Sequence, residues 1–205
     1  DVIMLILHYC SNSRAERVLW LLEELKLQYN LNKIKFHPSE LKSEEHRSRH
    51  PLGRIPVLED NNITIYESGA IIEYLIAKHS DGSLKPKVNE EKFSQYLQWF
   101  HYCEGMIMPP MNTIVVHTLI LPEERRNEEV LRQAKNLLGK ALNPVNVLLS
   151  DNEYLIDTFS GVDFMLGHAL YMSNKLGCVG EEMDNIIRYI NLLNSRKAFI
   201  KAINT

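Results

Sequence analysis

Two short stretches in the first third of the chain hold residue types that could do chemistry together. The first is Gly53-Arg54-Ile55-Pro56-Val57-Leu58. A proline at the head of a strand removes an amide donor, which a sheet tolerates only at an edge or a special turn. A cis bond before Pro56 would turn the amide and carbonyl of Ile55 outward, toward an extended peptide ligand. Taken alone, the stretch reads as an ordinary edge-strand proline. The second is Tyr66-Glu67-Ser68-Gly69-Ala70, where a strand gives way to a helix. Ser68 as N-cap, with Glu67 beside it, puts a hydroxyl, free helix amides and a carboxylate in one place. Such a set can hold an anion on the donors and an ammonium on the acid. By itself it is also what a plain helix cap looks like.

The elements that must carry these stretches are legible in the first eighty residues. Met4 to Tyr9 is a short apolar run suited to a buried strand. After the polar turn Ser11-Asn12-Ser13, residues 15, 18, 19, 22 and 25 are apolar at helical spacing, with Ser13 and Glu16 as a capping box. Leu31 to Phe36 reads as a second strand, and Pro38 to Arg49 as polar and weakly helical. Ile55–Leu58 and Ile63–Ile65 flank Glu59-Asp60-Asn61-Asn62 as an antiparallel hairpin. Ser68 then opens a helix with Ile71, Ile72, Leu75 and Ile76 on its apolar side.

Beyond Lys78 the composition changes. Ser80 to Lys87 is small, polar and turn-forming, the best linker candidate. From Glu90 onward helical spacing prevails without a convincing strand: one helix that Pro109-Pro110 should stop or kink, a second from about Glu123 to Leu149, a third near Ser160 and a last near Met183. The expected organisation is an α/β domain over 1–79, a linker over 80–89 and an all-helical domain over 90–205.

Composition narrows the function classes. Of 205 residues, 45% are apolar and 24% charged, enough for a real core and against disorder. A net charge of −3 argues against nucleic acid or an anionic membrane as a general partner. No apolar run is long enough to span a bilayer, and no leader pattern opens the chain. Cys10, Cys103 and Cys178 are odd in number and widely spaced, which fits a reducing, cytoplasmic compartment better than disulfides. No CxxC pair points to zinc. His46 and His50 have the spacing of a helical metal pair, but nearby arginines and the lack of a third ligand speak against one, so no metal is expected. Lys33, Lys35, Arg47 and Arg49 read as solvated or ligand-rim charges.

Taken in order, Ser13-Arg14-Ala15-Glu16-Arg17-Val18-Leu19-Trp20-Leu21-Leu22-Glu23-Glu24-Leu25, then His50 to Leu58, then Glu67-Ser68, resemble the N-terminal domain of cytosolic glutathione transferases. Ser160-Gly161-Val162-Asp163 is similar to that family's buried capping box in the helical domain, with Phe159 and Phe164 as its hydrophobic staple. Tyr102 to Met111 resembles a fungal and bacterial branch. The resemblance implies a thioredoxin-like α/β domain followed by an all-α domain, and glutathione as co-substrate. It implies attack of the glutathione thiolate on a small hydrophobic electrophile, and a homodimer. By the same resemblance Ile55 would bind the cysteinyl backbone of glutathione, and Glu67 and Ser68 its γ-glutamyl end. Arg54 would stand near the ligand, Lys42 would lie near the glycine carboxylate, and His50 would be structural.

The family's thiol-activating Ser, Tyr or Cys stands at the end of the first strand. Here that position falls on Asn12, between two serines. Ser13 is the first choice, Ser11 the next, and Asn12 could donate through its amide; Ser13 serves equally well as a helix cap. Tyr9 and Cys10 are offset from the tyrosine-type and cysteine-type patterns, and a reactive Cys10 would turn the chemistry to disulfide exchange or peroxide reduction. A non-catalytic binding protein is the remaining alternative. An electrophile pocket is expected between the domains, with Tyr102, Met106 and His117 as loose candidates that read more simply as core.

Overall fold

The structure is a computed structural model and describes residues 5–205; Met4, the expected first residue of the first strand, lies outside them. The chain divides into two compact units, one running to Lys85 and including Asn194–Thr205, the other spanning Pro86–Leu193.

In the first unit, β1 (Leu5–Tyr9) is buried along nearly its whole length, as a continuous apolar run should be in a central strand. Helix α1 (Ala15–Glu24) follows. Strand β2 (Tyr29–Lys33) pairs parallel to β1. It begins two residues before the expected Leu31 and ends short of Phe36, because the Tyr29 hydroxyl is held by Glu23 and His37 already caps the next helix. The polar stretch forms two short helices, α2 (Pro38–Leu41) and α3 (Glu44–Arg49). β3 (Val57–Asp60) and β4 (Ile63–Tyr66) form the hairpin. Glu59 and Asp60 belong to the strand and not to the turn, since the buried Asp60 carboxylate is bonded by Tyr74 and Lys78 of α4 (Ser68–His79). The sheet order is β2-β1-β3-β4, with β3 antiparallel to both neighbours. This is the expected thioredoxin-like arrangement.

The α1 stripe at 15, 18, 19 and 22 is buried, but so are Glu16, Arg17, Trp20 and Leu21. The reason is a helix that the sequence reading missed, the terminal helix after the one near Met183. It packs on α1, placing Phe199 edge-on to Trp20 with centroids 4.7 Å apart.

The second unit is helical. It comprises α5 (Lys92–Tyr102), a π turn over Cys103–Ile107, α6 (Met108–Val115), a second π turn over Val116–Ile120, and α7 (Glu128–Asp151). A third π turn over Asp163–Gly167 runs into α8 (His168–Lys175), and α9 (Asp184–Leu193) ends the unit. The terminal helix is α10 (Lys197–Ile203). Pro109 and Pro110 do not end the helical run: they occupy the first turn of α6, where a missing N–H costs nothing. The wider turn ahead of them shifts the helical phase, leaving Met106 exposed and Ile107 buried. Asp163 returns a bond to Ser160 N at 2.8 Å as expected, although the Ser160 hydroxyl takes Val162 N at 3.3 Å. Phe159 meets Phe164 edge-on at 5.2 Å. No helix among the described residues is long and apolar enough to cross a membrane.

Candidate functional site

Strand register gathers the expected site. β1 pairs with β3 as far as His8 opposite Val57, and β3 with β4 as far as Val57 opposite Tyr66. Residues 10–13 follow β1, residues 54–56 precede β3, and residues 67–68 follow β4. All three stretches therefore leave the sheet at the same end, although they are far apart in the chain.

The 54–56 stretch is held by side chains from the region of the two short helices before it. The Ile55–Pro56 bond is cis. His46 Nε2 donates to the Arg54 carbonyl at 2.8 Å, and Lys42 Nζ donates to the Leu52 and Gly53 carbonyls. Gly53 has φ +56°, and a Cβ there would overlap the Leu41 carbonyl oxygen, so only glycine fits this turn. His50 is buried, accepts a bond from Leu52 N, and lies 4.5 Å from the Tyr66 ring. Burial lowers its pKa below the ordinary histidine value against the pull of Glu67, with His46 and Arg54 lowering it further. A neutral His50 fits the structural role expected of it. His46 braces the Arg54 peptide. Among the described residues no group of three His, Cys, Asp or Glu side chains could hold a metal ion.

At the 67–68 stretch the cap of α4 is Glu67, at φ +73° and ψ 113°, and not Ser68. Glu67 is exposed and its carbonyl takes the first helical bond, from Ile71 N at 2.9 Å. The amides of residues 68–70 have no carbonyl within the helix to bond and point out of its positive end. Ser68 is buried, and its hydroxyl accepts from Arg17 Nη1 at 3.1 Å. Arg17 escaped the sequence reading, because nothing in a lone arginine of α1 announces that it will be wholly buried.

At the 10–13 turn, Ser11 and Asn12 are exposed and Ser13 is half-buried. The expected capping box is shifted by one residue. Glu16 accepts from Asn12 N at 2.5 Å, and Asn12 has φ +57°, so the carboxylate holds the tip of the turn. The Ser13 hydroxyl donates to the Cys10 carbonyl at 2.6 Å and accepts from Ala15 N at 3.1 Å. Tyr9 and Cys10 face the interior. The Tyr9 hydroxyl donates to the Ala202 carbonyl at 3.1 Å. Burial, with the Glu16 carboxylate second, pushes its pKa up to about 12. Burial and then Glu16 also raise the Cys10 thiol above its ordinary value, the opposite of what a reactive cysteine needs.

The loose candidates of the second unit are engaged locally. The Tyr102 hydroxyl donates to the Ala141 carbonyl at 2.9 Å, and His117 Nδ1 accepts from Asn127 N at 3.0 Å.

Residues 4–77 match the family model described as glutathione S-transferase, N-terminal domain. Glutathione S-transferase 3 of Schizosaccharomyces pombe is 35% identical over 107 residues, which are 52% of this chain and 43% of that protein. Glutathione S-transferase F4 of Arabidopsis thaliana is 26% identical over 200 residues, 93% of this chain and 80% of that one. In fold, the chain is similar to a glutathione transferase of Phanerochaete chrysosporium solved in complex with oxidised glutathione. That likeness has a TM-score of 0.86 at 24% identity, over 98% of this chain and 94% of that one. The sheet order, together with these matches, leads to one conclusion: the chain belongs to the glutathione S-transferase family.

Proposed function

We propose that this protein is a glutathione transferase of the serine type, lowering the pKa of the glutathione thiol so that the thiolate attacks a small hydrophobic electrophile. The observation that carries the reading is the convergence of three stretches at one end of the sheet. The Ile55 peptide beside cis-Pro56 pairs with the cysteinyl backbone. Glu67 takes the γ-glutamyl ammonium, and Ser68 with the first amides of α4 takes its carboxylate. Arg54 and Lys42 lie at the glycine end. The turn 11–13 then faces the sulfur.

Ser13 is the residue that favours the thiolate. Its hydroxyl is already fixed by Ala15 N and Cys10 O at the start of α1, where the helix dipole adds to the preference for negative charge. Rotation of the hydroxyl hydrogen from Cys10 O to the sulfur completes the site, with Ser11 and the Asn12 amide as neighbouring donors. The thiol proton leaves to solvent, and the sulfur lone pair forms the new bond to the electrophilic carbon as the leaving group on that carbon departs with its bonding electron pair. The buried, raised Cys10 thiol supports transfer over disulfide exchange. The protein acts in the cytoplasm, consistent with three free cysteines, and as the homodimer usual in its family.

The test is a titration with glutathione that follows thiolate absorbance, in wild type and in Ser13→Ala. The bound thiol is expected to fall from about 8.5–9 to near 7, a preference for the thiolate of about 2.7 kcal/mol. Ser13→Ala is expected to return most of that shift while glutathione still binds. An unchanged shift in Ser13→Ala moves the role to Ser11 or Asn12. A wild type that does not bind glutathione removes the reading, and one that binds without lowering the thiol pKa or turning over an electrophile is a binding protein.

A further inference from the structure

His46 has one ring nitrogen at work and one idle. The residue is 2% exposed, in the middle of the short helix α3. Nε2 bonds the Arg54 carbonyl at 2.8 Å, while Nδ1 is buried and meets no partner among the described residues. A carbonyl only accepts, so Nε2 carries the proton it donates, and the neutral ring leaves Nδ1 as an acceptor without a donor. A buried acceptor left in that state is costly, and leucine or phenylalanine here would avoid the cost. What an apolar side chain could not supply is the Nε2 proton.

The helix that carries the ring is pinned on both sides of it. Ser43 Oγ accepts from His46 N at 3.2 Å, and Arg49 Nε pairs with Glu59 of β3 at 2.8 Å. Glu59 is bonded in turn by His8 Nε2 of β1 at 2.7 Å. The Nε2 proton therefore reaches Arg54 from a fixed direction. The carbonyl that receives it shares a peptide plane with the Ile55 N–H. That peptide is trans, since the cis bond lies one residue later, and in a trans amide the C=O and N–H point opposite ways. Holding the Arg54 oxygen toward the buried ring thus holds the Ile55 N–H away from it. Pro56 has no N–H, so this is the last backbone donor before β3 begins at Val57.

We propose that His46 is a positioning residue for the ligand's main chain: by holding the Arg54 carbonyl it aims the Ile55 N–H at a carbonyl of the ligand. The inference rests on the glutathione reading, in which that carbonyl is the cysteinyl one, and adds to it the side chain that sets the direction of the amide. His46 touches no ligand atom; it acts through one peptide plane.

The experiment compares two ligands on the full chain. One is glutathione; the other is its analogue with a trans carbon–carbon double bond in place of the Cys–Gly peptide, which keeps the thiol and both charged ends and lacks the cysteinyl carbonyl. The ratio of their Kd values is the readout, because a merely structural role would weaken both alike. Wild type is expected to favour glutathione by roughly 3- to 10-fold, the span of a neutral hydrogen bond. His46→Leu is expected to lower that ratio at least twofold, toward unity, while the Kd of the analogue stays within about twofold. His46→Gln, whose side-chain N–H can reach the same carbonyl, is expected to keep a ratio nearer to wild type. A folded His46→Leu protein whose ratio falls by less than twofold overturns the proposal, and so does a His46→Gln ratio no higher than that of His46→Leu. If His46→Leu does not fold, His46→Asn, whose shorter amide falls short of Arg54, replaces it under the same criteria. A wild type that binds neither ligand refutes the glutathione reading, whereas one that binds both without discrimination refutes only the role of His46.

Discussion

Gly167→Ala in the π turn that precedes α8 is expected to destabilise the helical unit, although alanine is the better helix former. A Cβ at this position would overlap the Tyr189 hydroxyl and meet Leu193 Cδ1 at 3.2 Å. Tyr189 has no room to move, since it is fully buried, and its hydroxyl donates to Asp163 Oδ1 at 2.6 Å. Asp163 is itself wholly buried and ties Ser160 N into the start of the same helical run. Removing a hydrogen bond from a buried carboxylate costs about 1.5–3 kcal/mol. Displacing a packed ring adds about 1–3 kcal/mol. The intrinsic gain of alanine over glycine returns only about 1 kcal/mol. The net loss is therefore about 1.5–5 kcal/mol, readable as a lower midpoint in urea unfolding followed by circular dichroism. Tyr189→Phe removes the hydroxyl that the Cβ would strike, so Gly167→Ala should cost at least about 1 kcal/mol less in that background. A Gly167→Ala protein within about 0.5 kcal/mol of wild type, or strict additivity with Tyr189→Phe, would refute the reasoning.

Two further outcomes follow from the first unit. Cys10→Ala is expected to leave glutathione-dependent turnover within about twofold, because a buried thiol with a raised pKa is a poor nucleophile; loss of activity in this variant would restore the disulfide-exchange alternative. Burial alone would raise the Asp60 carboxyl, but bonds from Lys78 and Tyr74 hold it below the ordinary value. Its charged form therefore stabilises the fold above the unfolded-state pKa of about 3.9, and that contribution is lost as pH falls through the lower folded value. Asp60→Asn should then be less stable than wild type at neutral pH, with the gap closing in acid. A gap that stays constant in urea melts from pH 7 to pH 3 would contradict this account.

The stretches that form the candidate site were legible in residue order alone. Ile55-Pro56 and Glu67-Ser68 are local signals, since a proline ahead of a strand and a polar pair between a strand and a helix mark breaks in backbone pairing. The α/β first part and helical second part were equally readable, because periods of two and 3.6 are properties of the chain itself. Where the reading slipped, side-chain contacts and helical phase decided. The capping box at Ser13 moved because Glu16 reached Asn12, and the cap at Ser68 passed to Glu67 because the Ser68 hydroxyl went to Arg17, fifty-one positions away. Met106 left the core because a π turn inserted an extra residue into the helical phase. Arg17, Glu16 and Trp20 are buried because α10 and α4 pack on α1, and no helical wheel drawn for α1 contains that information. The sequence by itself determined which chemical groups the chain carries and which elements bear them. Only the tertiary structure decided which hydroxyls have protons to offer and which charges lie out of water, because both depend on partners that the fold supplies.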